Sequence, residues 1–188
     1  MIEETHKSIF SGGENSMLRI IAVIIELFVS LIALWILTFI STFLHELGHA
    51  IGYMIATRDR HWHIRVGWGK RLINTKRLTV NLLVFDGFFT PLGHKIDTKS
   101  KLISTLLGGP AFSFLLVAGL LVMRFSGLSF QSDFFSDSAV EWFLSYSLYS
   151  NLFILLSTLV PCQYFWGNVK GIESDGLQII RAIKNNGD

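Results

Sequence analysis

His45-Glu46-Leu47-Gly48-His49 is the stretch of this chain whose residue types and spacing are suited to chemistry. On an α-helix, residues four apart share a face, so the imidazoles of His45 and His49 can grip one metal ion. Glu46 stands beside the first ligand and can reach a metal-held water as general base. The ion lowers the pKa of that water towards about 7, making a nucleophile at neutral pH. Zinc suits imidazole and carboxylate ligands in a tetrahedral site with one open position. The only cysteine is Cys162, so a Cys-based cluster and an intramolecular disulfide are both excluded. A single zinc ion would therefore be held by His and carboxylate groups.

An HExxH pentapeptide also arises by chance in unrelated helices. Context argues for the metal here, because the motif adjoins a long apolar run. Burying two His and a Glu there costs several kcal/mol unless they are paired or metal-bound. The third ligand must come from elsewhere in the chain. Asp175, Asp86 and Glu26 are the acidic candidates, and His61, His63 and His94 are also open. Asp175 is preferred, because it follows the last apolar run on the same expected side as His45 and His49. The alternative is that Asp175-Gly176 is a plain N-cap and turn.

The elements that must position these residues read as follows. Residues 1–16 are polar and read as a loose tail. Residues 17–57 read as one long helix carrying the motif, with an apolar part broken by Arg19 and Glu26. It starts too far in and runs too long for a typical cleaved signal peptide. Residues 61–100 change to a two-residue period and read as a β-hairpin with an irregular return. Its first strand is expected around residues 61–68, a polar turn at 69–77, and the second strand at 78–84. Residues 102–124 form a second apolar helix, interrupted near its start by Gly108-Gly109-Pro110. Pro110 either bends or begins that helix, or leaves a strand-like opening beside the site. A third helix is expected over 142–161 and a short terminal one, with the Asp-Gly pair, over 174–183. Gly48, Gly52 and Ala56 recur every four residues, which lets a neighbouring helix approach closely. Glu26 reads as an outer-interface residue or a proton relay. His61 and His63 read as a solvated strand face, and His94 as a loop histidine.

Composition supports a membrane setting. The 188 residues are 51% hydrophobic and only 16% charged, with mean hydropathy +0.49. Soluble domains carry about 25% charged residues. Three spans of about 20–25 residues leave little room for a separate soluble domain. The expected fold is thus a membrane α-helical domain over residues 1–188, with three transmembrane helices and a small β-hairpin insertion between the first two. A net charge of +2 argues against a nucleic-acid partner. The charge is unevenly placed, with a net +7 over residues 58–101 and −5 elsewhere. Basic loops favour the cytoplasm, which puts the N-terminus outside and the C-terminus inside. Trp62 and Trp68 in that basic loop suit an interfacial belt and anionic headgroups of the lipid bilayer.

Taken together in order, HELGHA (45–50), the hairpin with IRVGWGK, GFFTPLG (87–93), GGPAFS (108–113) and SDGLQI (174–179) resemble the site-2 protease family of intramembrane zinc metalloproteases. The likeness covers roughly residues 30–183. It implies that His45, His49 and Asp175 hold one zinc ion, and that Glu46 acts as base and proton shuttle. The implied activity is peptide-bond hydrolysis in membrane-anchored protein substrates by a metal-activated water, at a site opening towards the cytoplasm. Gly109 and Pro110 would be substrate-binding or structural residues. The family's Asn-Leu-x-Pro stretch is Thr158-Leu159-Val160-Pro161 here, so Thr158 replaces Asn, and Asn151 lies two helical turns earlier. Thirteen residues separate Pro161 from Asp175, more than is usual. These departures bear on substrate-strand binding and oxyanion stabilisation. They motivate an alternative, a non-catalytic membrane protein that keeps the metal site for structure or partner binding.

Overall fold

The computed structural model describes residues 2–93, 95–126, 137–165 and 167–184. Helix α1 (Ile2–Thr57) is followed by strands β1 (Trp62–Asn74) and β2 (Leu78–Pro91). Helices α2 (Lys99–Phe125) and α3 (Asp137–Leu159), a 3₁₀ turn at Gly167–Val169 and helix α4 (Asp175–Lys184) complete the order. The chain divides into two compact units, Met1–Leu37 and Thr38–Asp188. Three helical stretches, Met17–Thr57, Lys99–Phe125 and Ser138–Leu159, are long and apolar enough to cross a membrane.

The expected loose tail is instead the start of α1, which begins at Ile2. Extending an existing helix needs no new nucleus, and the Gly12-Gly13 pair costs only about 1 kcal/mol per residue. In the second unit α1 buries Ser41, His45, His49 and Tyr53, each four residues from the last. The helix ends where Arg58 takes φ 55 and its N–H closes on Met54 O at 3.0 Å, a left-handed cap.

The hairpin is longer and tighter than its polar middle suggests. Lys70 and Arg71 lie in β1, and the turn is confined to residues 75–77, where Thr75 Oγ1 accepts from Leu78 N at 2.9 Å. Residues 86–91, expected to be irregular, continue β2. The reason is register. Ile64, Arg65 and Val66 oppose Phe89, Phe88 and Gly87 on one side and Leu78, Thr79 and Val80 on the other. The start of β1 is therefore flanked twice, which leaves Ile64 and Val66 fully buried. Gly67, with φ 76, allows the bend between these pairings, and Asn81 Nδ2 donates to its carbonyl at 2.7 Å.

Helix α2 starts at an N-cap Thr98 and runs unbroken through Pro110. The strand-like opening does not form. Proline removes one helical hydrogen bond, whereas an opened segment would strand several backbone groups in apolar surroundings. The spacing of small residues on α1 has the expected effect. A side chain on Gly48 would collide with Gly108 O, and one on Gly52 with Ser104 O, so α2 lies directly against that face.

Helix α3 begins five residues before the expected start and ends ahead of Pro161. It meets α2 through Val117, Leu148 and Leu155. Asn151 Nδ2 donates to Ser41 Oγ at 2.9 Å, and Thr38 Oγ1 and Tyr146 OH lie 2.7 Å apart. These bonds tie α3 to α1. Beyond Pro161 the chain forms a narrow clasp, in which Tyr164 N donates to Ile172 O and Ser174 N to Cys162 O, both at 2.9 Å. The clasp delivers α4 to the other helices.

Candidate metal centre

Two side chains of α1 and one of α4, more than a hundred residues apart in sequence, converge beside α2. His45 Nε2 and His49 Nε2 are 3.2 Å apart. Asp175 Oδ2 lies 3.4 Å from the first and 3.3 Å from the second. Among the described residues these three form the group able to hold a metal ion.

The spacing is that of a group that could hold a metal ion. A histidinium–carboxylate hydrogen bond is normally about 2.7–2.9 Å, shorter than either His–Asp distance here. Ligands about 2.0–2.1 Å from a tetrahedral ion stand about 3.3–3.4 Å from one another. All three edges are within about 0.2 Å of that value, the tolerance expected of a metal site. Asp175 Oδ2 is also buried with no hydrogen-bond partner, an arrangement that is costly unless a cation satisfies it.

Second contacts fix the ring orientations. His49 Nδ1 is 2.9 Å from Thr105 O. A carbonyl only accepts, so Nδ1 carries the proton and Nε2 presents its lone pair to the centre. His45 Nδ1 is 2.9 Å from Ser113 Oγ, a group that sits fully buried on α2. Donation from His45 to that hydroxyl gives the same exposed lone pair at Nε2.

The alternative role for Asp175 is resolved by Ser174, which is the residue that caps α4. Its Oγ accepts from Leu177 N at 3.2 Å and donates to Val160 O at 2.8 Å. Asp175 is thereby the first helical residue, with its carboxylate free to face the histidines. Gly176 is required because a side chain there would strike Leu159 O at the end of α3. Burial works against ionisation of Asp175, and the two histidines, when protonated, outweigh it and hold its carboxyl down to about 2; with both Nε2 atoms unprotonated a bound cation would take over that role.

Glu46 is buried beside the triad and lines the same cavity of about 180 Å³. Its carboxylate lies close against Gly87 of β2. Gly87 makes that approach possible, since a Cβ there would fall 2.6 Å from Glu46 Cγ. Gly109 performs the same service on α2, where a Cβ would crowd both His49 and His45.

The remaining sequence candidates are dispersed. Asp86 keeps an unpaired buried Oδ1 and is pushed up by burial against the pull of Arg65, but is not part of the triangle. Glu26 is exposed on α1. His61 pairs with Asp59 at 2.6 Å, and His63 with Thr79 Oγ1 at 3.1 Å. His94 lies outside the described residues. Thr158 reaches the cavity wall, although its hydroxyl donates back to Ile154 O at 2.9 Å. Asn151 is absent from the cavity lining and ties helices instead. Pro110 is buried in α2, one residue beyond the crowded Gly109.

Sequence reasoning missed Ser113, Thr105 and Tyr164. The first two carried a usable signal: Thr105, Gly109 and Ser113 are small or hydroxyl-bearing residues at four-residue spacing in an apolar helix, matching His45 and His49 on α1. Tyr164 lines the cavity from the clasp, its hydroxyl donating to Ser157 O at 3.1 Å. Burial, and then the charge of Asp175, push that phenol up, so it stays neutral. No family model, curated protein or solved structure matches the chain.

Proposed function

We propose that this chain is a membrane-embedded zinc metalloprotease of the site-2 type, hydrolysing peptide bonds in membrane-anchored proteins. The observation that carries the reading is the convergence of His45, His49 and Asp175 at metal-ligand spacing with Glu46 in the same cavity. Zinc would polarise the scissile carbonyl and lower the pKa of the attacking water. Glu46 takes the proton from that water and returns it to the departing amine nitrogen. Thr105 and Ser113 keep the imidazoles turned towards the ion. Gly87 leaves the room that Glu46 occupies, and Gly109 the room that the two imidazoles occupy. The apolar outer faces of α2 and α3, with Phe114, Leu115, Val122 and Phe153 more than half exposed, suit a lipid solvent. The basic hairpin orients the chain with its C-terminus in the cytoplasm.

A second reading, a metal-stabilised protein without catalysis, draws support from Thr158 and Asn151. The Thr158 hydroxyl is turned back onto its own helix, and Asn151 is engaged with Ser41. Neither supplies a free donor to a developing oxyanion. One experiment decides between the two. The Glu46→Gln protein in detergent is expected to retain zinc and lose cleavage of a single-span substrate. Cleavage unchanged by that substitution refutes the mechanism, and absence of cleavage in the parent across a panel of substrates favours the second reading.

A further inference from the structure

Helix α1 has two unlike faces near its end. Ser41, His45, His49 and Tyr53 are buried, whereas Ile51, Met54, Ile55 and Arg58 follow the opposite stripe, and Ile55 is 72% exposed. Together with Arg60 these residues line a groove of about 390 Å³. Trp62 and Arg77 adjoin its lining residues. Trp62 Nε1 donates to Met54 Sδ at 3.3 Å, and the Arg77 guanidinium lies 5.2 Å from the Trp62 ring and donates to Arg60 O. Asp59 stands between the two groove arginines in sequence and forms an ion pair with neither. It is buried, with its oxygens taken by Tyr53 OH at 2.8 Å and His61 Nδ1 at 2.6 Å. Among the described residues neither Arg58 nor Arg60 has an ion-pair partner.

We propose that this groove binds one anionic phospholipid. Arg58 and Arg60 hold the phosphate, since guanidinium groups match its oxygens with paired N–H donors. Ile51, Met54 and Ile55 carry the first part of an acyl chain, and Trp62 marks the headgroup level. A soluble phosphate would leave the apolar stripe uncovered, and a zwitterionic lipid would add a cation beside two arginines. The proposal rests on the reading of α1 as a membrane span and not on the hydrolase reading.

The test is native mass spectrometry of the full-length protein in detergent, with equimolar phosphatidylglycerol and phosphatidylcholine of matched chains. Two basic residues at an anionic surface correspond to about 30-fold preference for the anionic lipid. R58Q/R60Q is expected to lose that preference, R60Q alone to show part of the loss, and K70Q/R71Q, which removes equal charge from the exposed part of the hairpin, to keep it. Equal loss in K70Q/R71Q, no preference in the parent, or equal retention of glycerol phosphate overturns the site. Extraction of the chain from membranes by carbonate without detergent, measured beforehand, would overturn the spanning reading separately.

Discussion

Replacing Gly109 by alanine puts a methyl group among the nitrogens proposed to bind metal without changing any of the proposed ligands. Built on the present backbone, that carbon falls 2.6 Å from His49 Cε1 and 2.8 Å from His45 Nε2, and closer still to His49 Nε2. Unbonded atoms of this kind settle at about 3.5–4.0 Å, so one or both imidazoles must retreat by about 1 Å. Metal bonds tolerate about 0.2 Å. The rings cannot slide freely, because His49 is held by Thr105 O and His45 by Ser113. Overpacking of this severity costs about 1–3 kcal/mol, which corresponds to zinc binding about 5–150-fold weaker. The assay is zinc competition against a chelator of known affinity, on detergent-solubilised protein. Gly119 on the same helix is the control, since a Cβ there meets nothing within 4 Å. Gly119→Ala should leave zinc affinity unchanged and favour the helix by up to about 1 kcal/mol. Gly109→Ala gains the same helix propensity, so zinc affinity, and not thermal stability, is the deciding readout. A Gly109→Ala protein whose affinity stays within about twofold of the parent refutes the assignment of the triangle as a metal site.

Ser113→Ala removes the partner of His45 Nδ1 and should weaken zinc binding about 10–100-fold; the same competition assay checks it. Gly48→Ala forces a methyl group onto the Gly108 carbonyl, which is backbone and cannot swing aside. Thermal unfolding in detergent should fall by the equivalent of about 1–3 kcal/mol, and an unchanged midpoint would contradict the close approach of α1 and α2. Asp59 is held well below the usual carboxylate range, by Tyr53 first and His61 next. A depressed folded value means that its contribution is complete above the unfolded value of 3.8 and decays as pH falls towards the folded one. Tyr53→Phe raises the folded value, so it should lessen stability near neutral pH and shallow the acid-side loss. Identical pH–stability curves for parent and variant would remove the Tyr53–Asp59 bond from the account.

Local pattern determines much of this protein. Uncharged runs long enough for helices, the switch to a two-residue period, and the four-residue spacing of His45 and His49 each act within a few residues, so they are legible in order along the chain. The small-residue stripe at Gly48 and Gly52 also announced a close neighbour, though not which one. Register was not legible. The second pairing that buries Ile64 and Val66 depends on residues more than twenty positions apart, and it turned an expected irregular return into strand. The choice of Asp175 over Asp86 was no more than a preference in the sequence, since each is a carboxylate next to glycine. Packing decided it. Gly176 lets α4 press against Leu159, Ser174 takes over the cap, and the freed carboxylate reaches the two histidines across more than a hundred residues. Ligand types and their helical spacing are properties of local sequence. The third candidate ligand, the groups that orient the rings and the glycines that make room for them are properties of how helices touch.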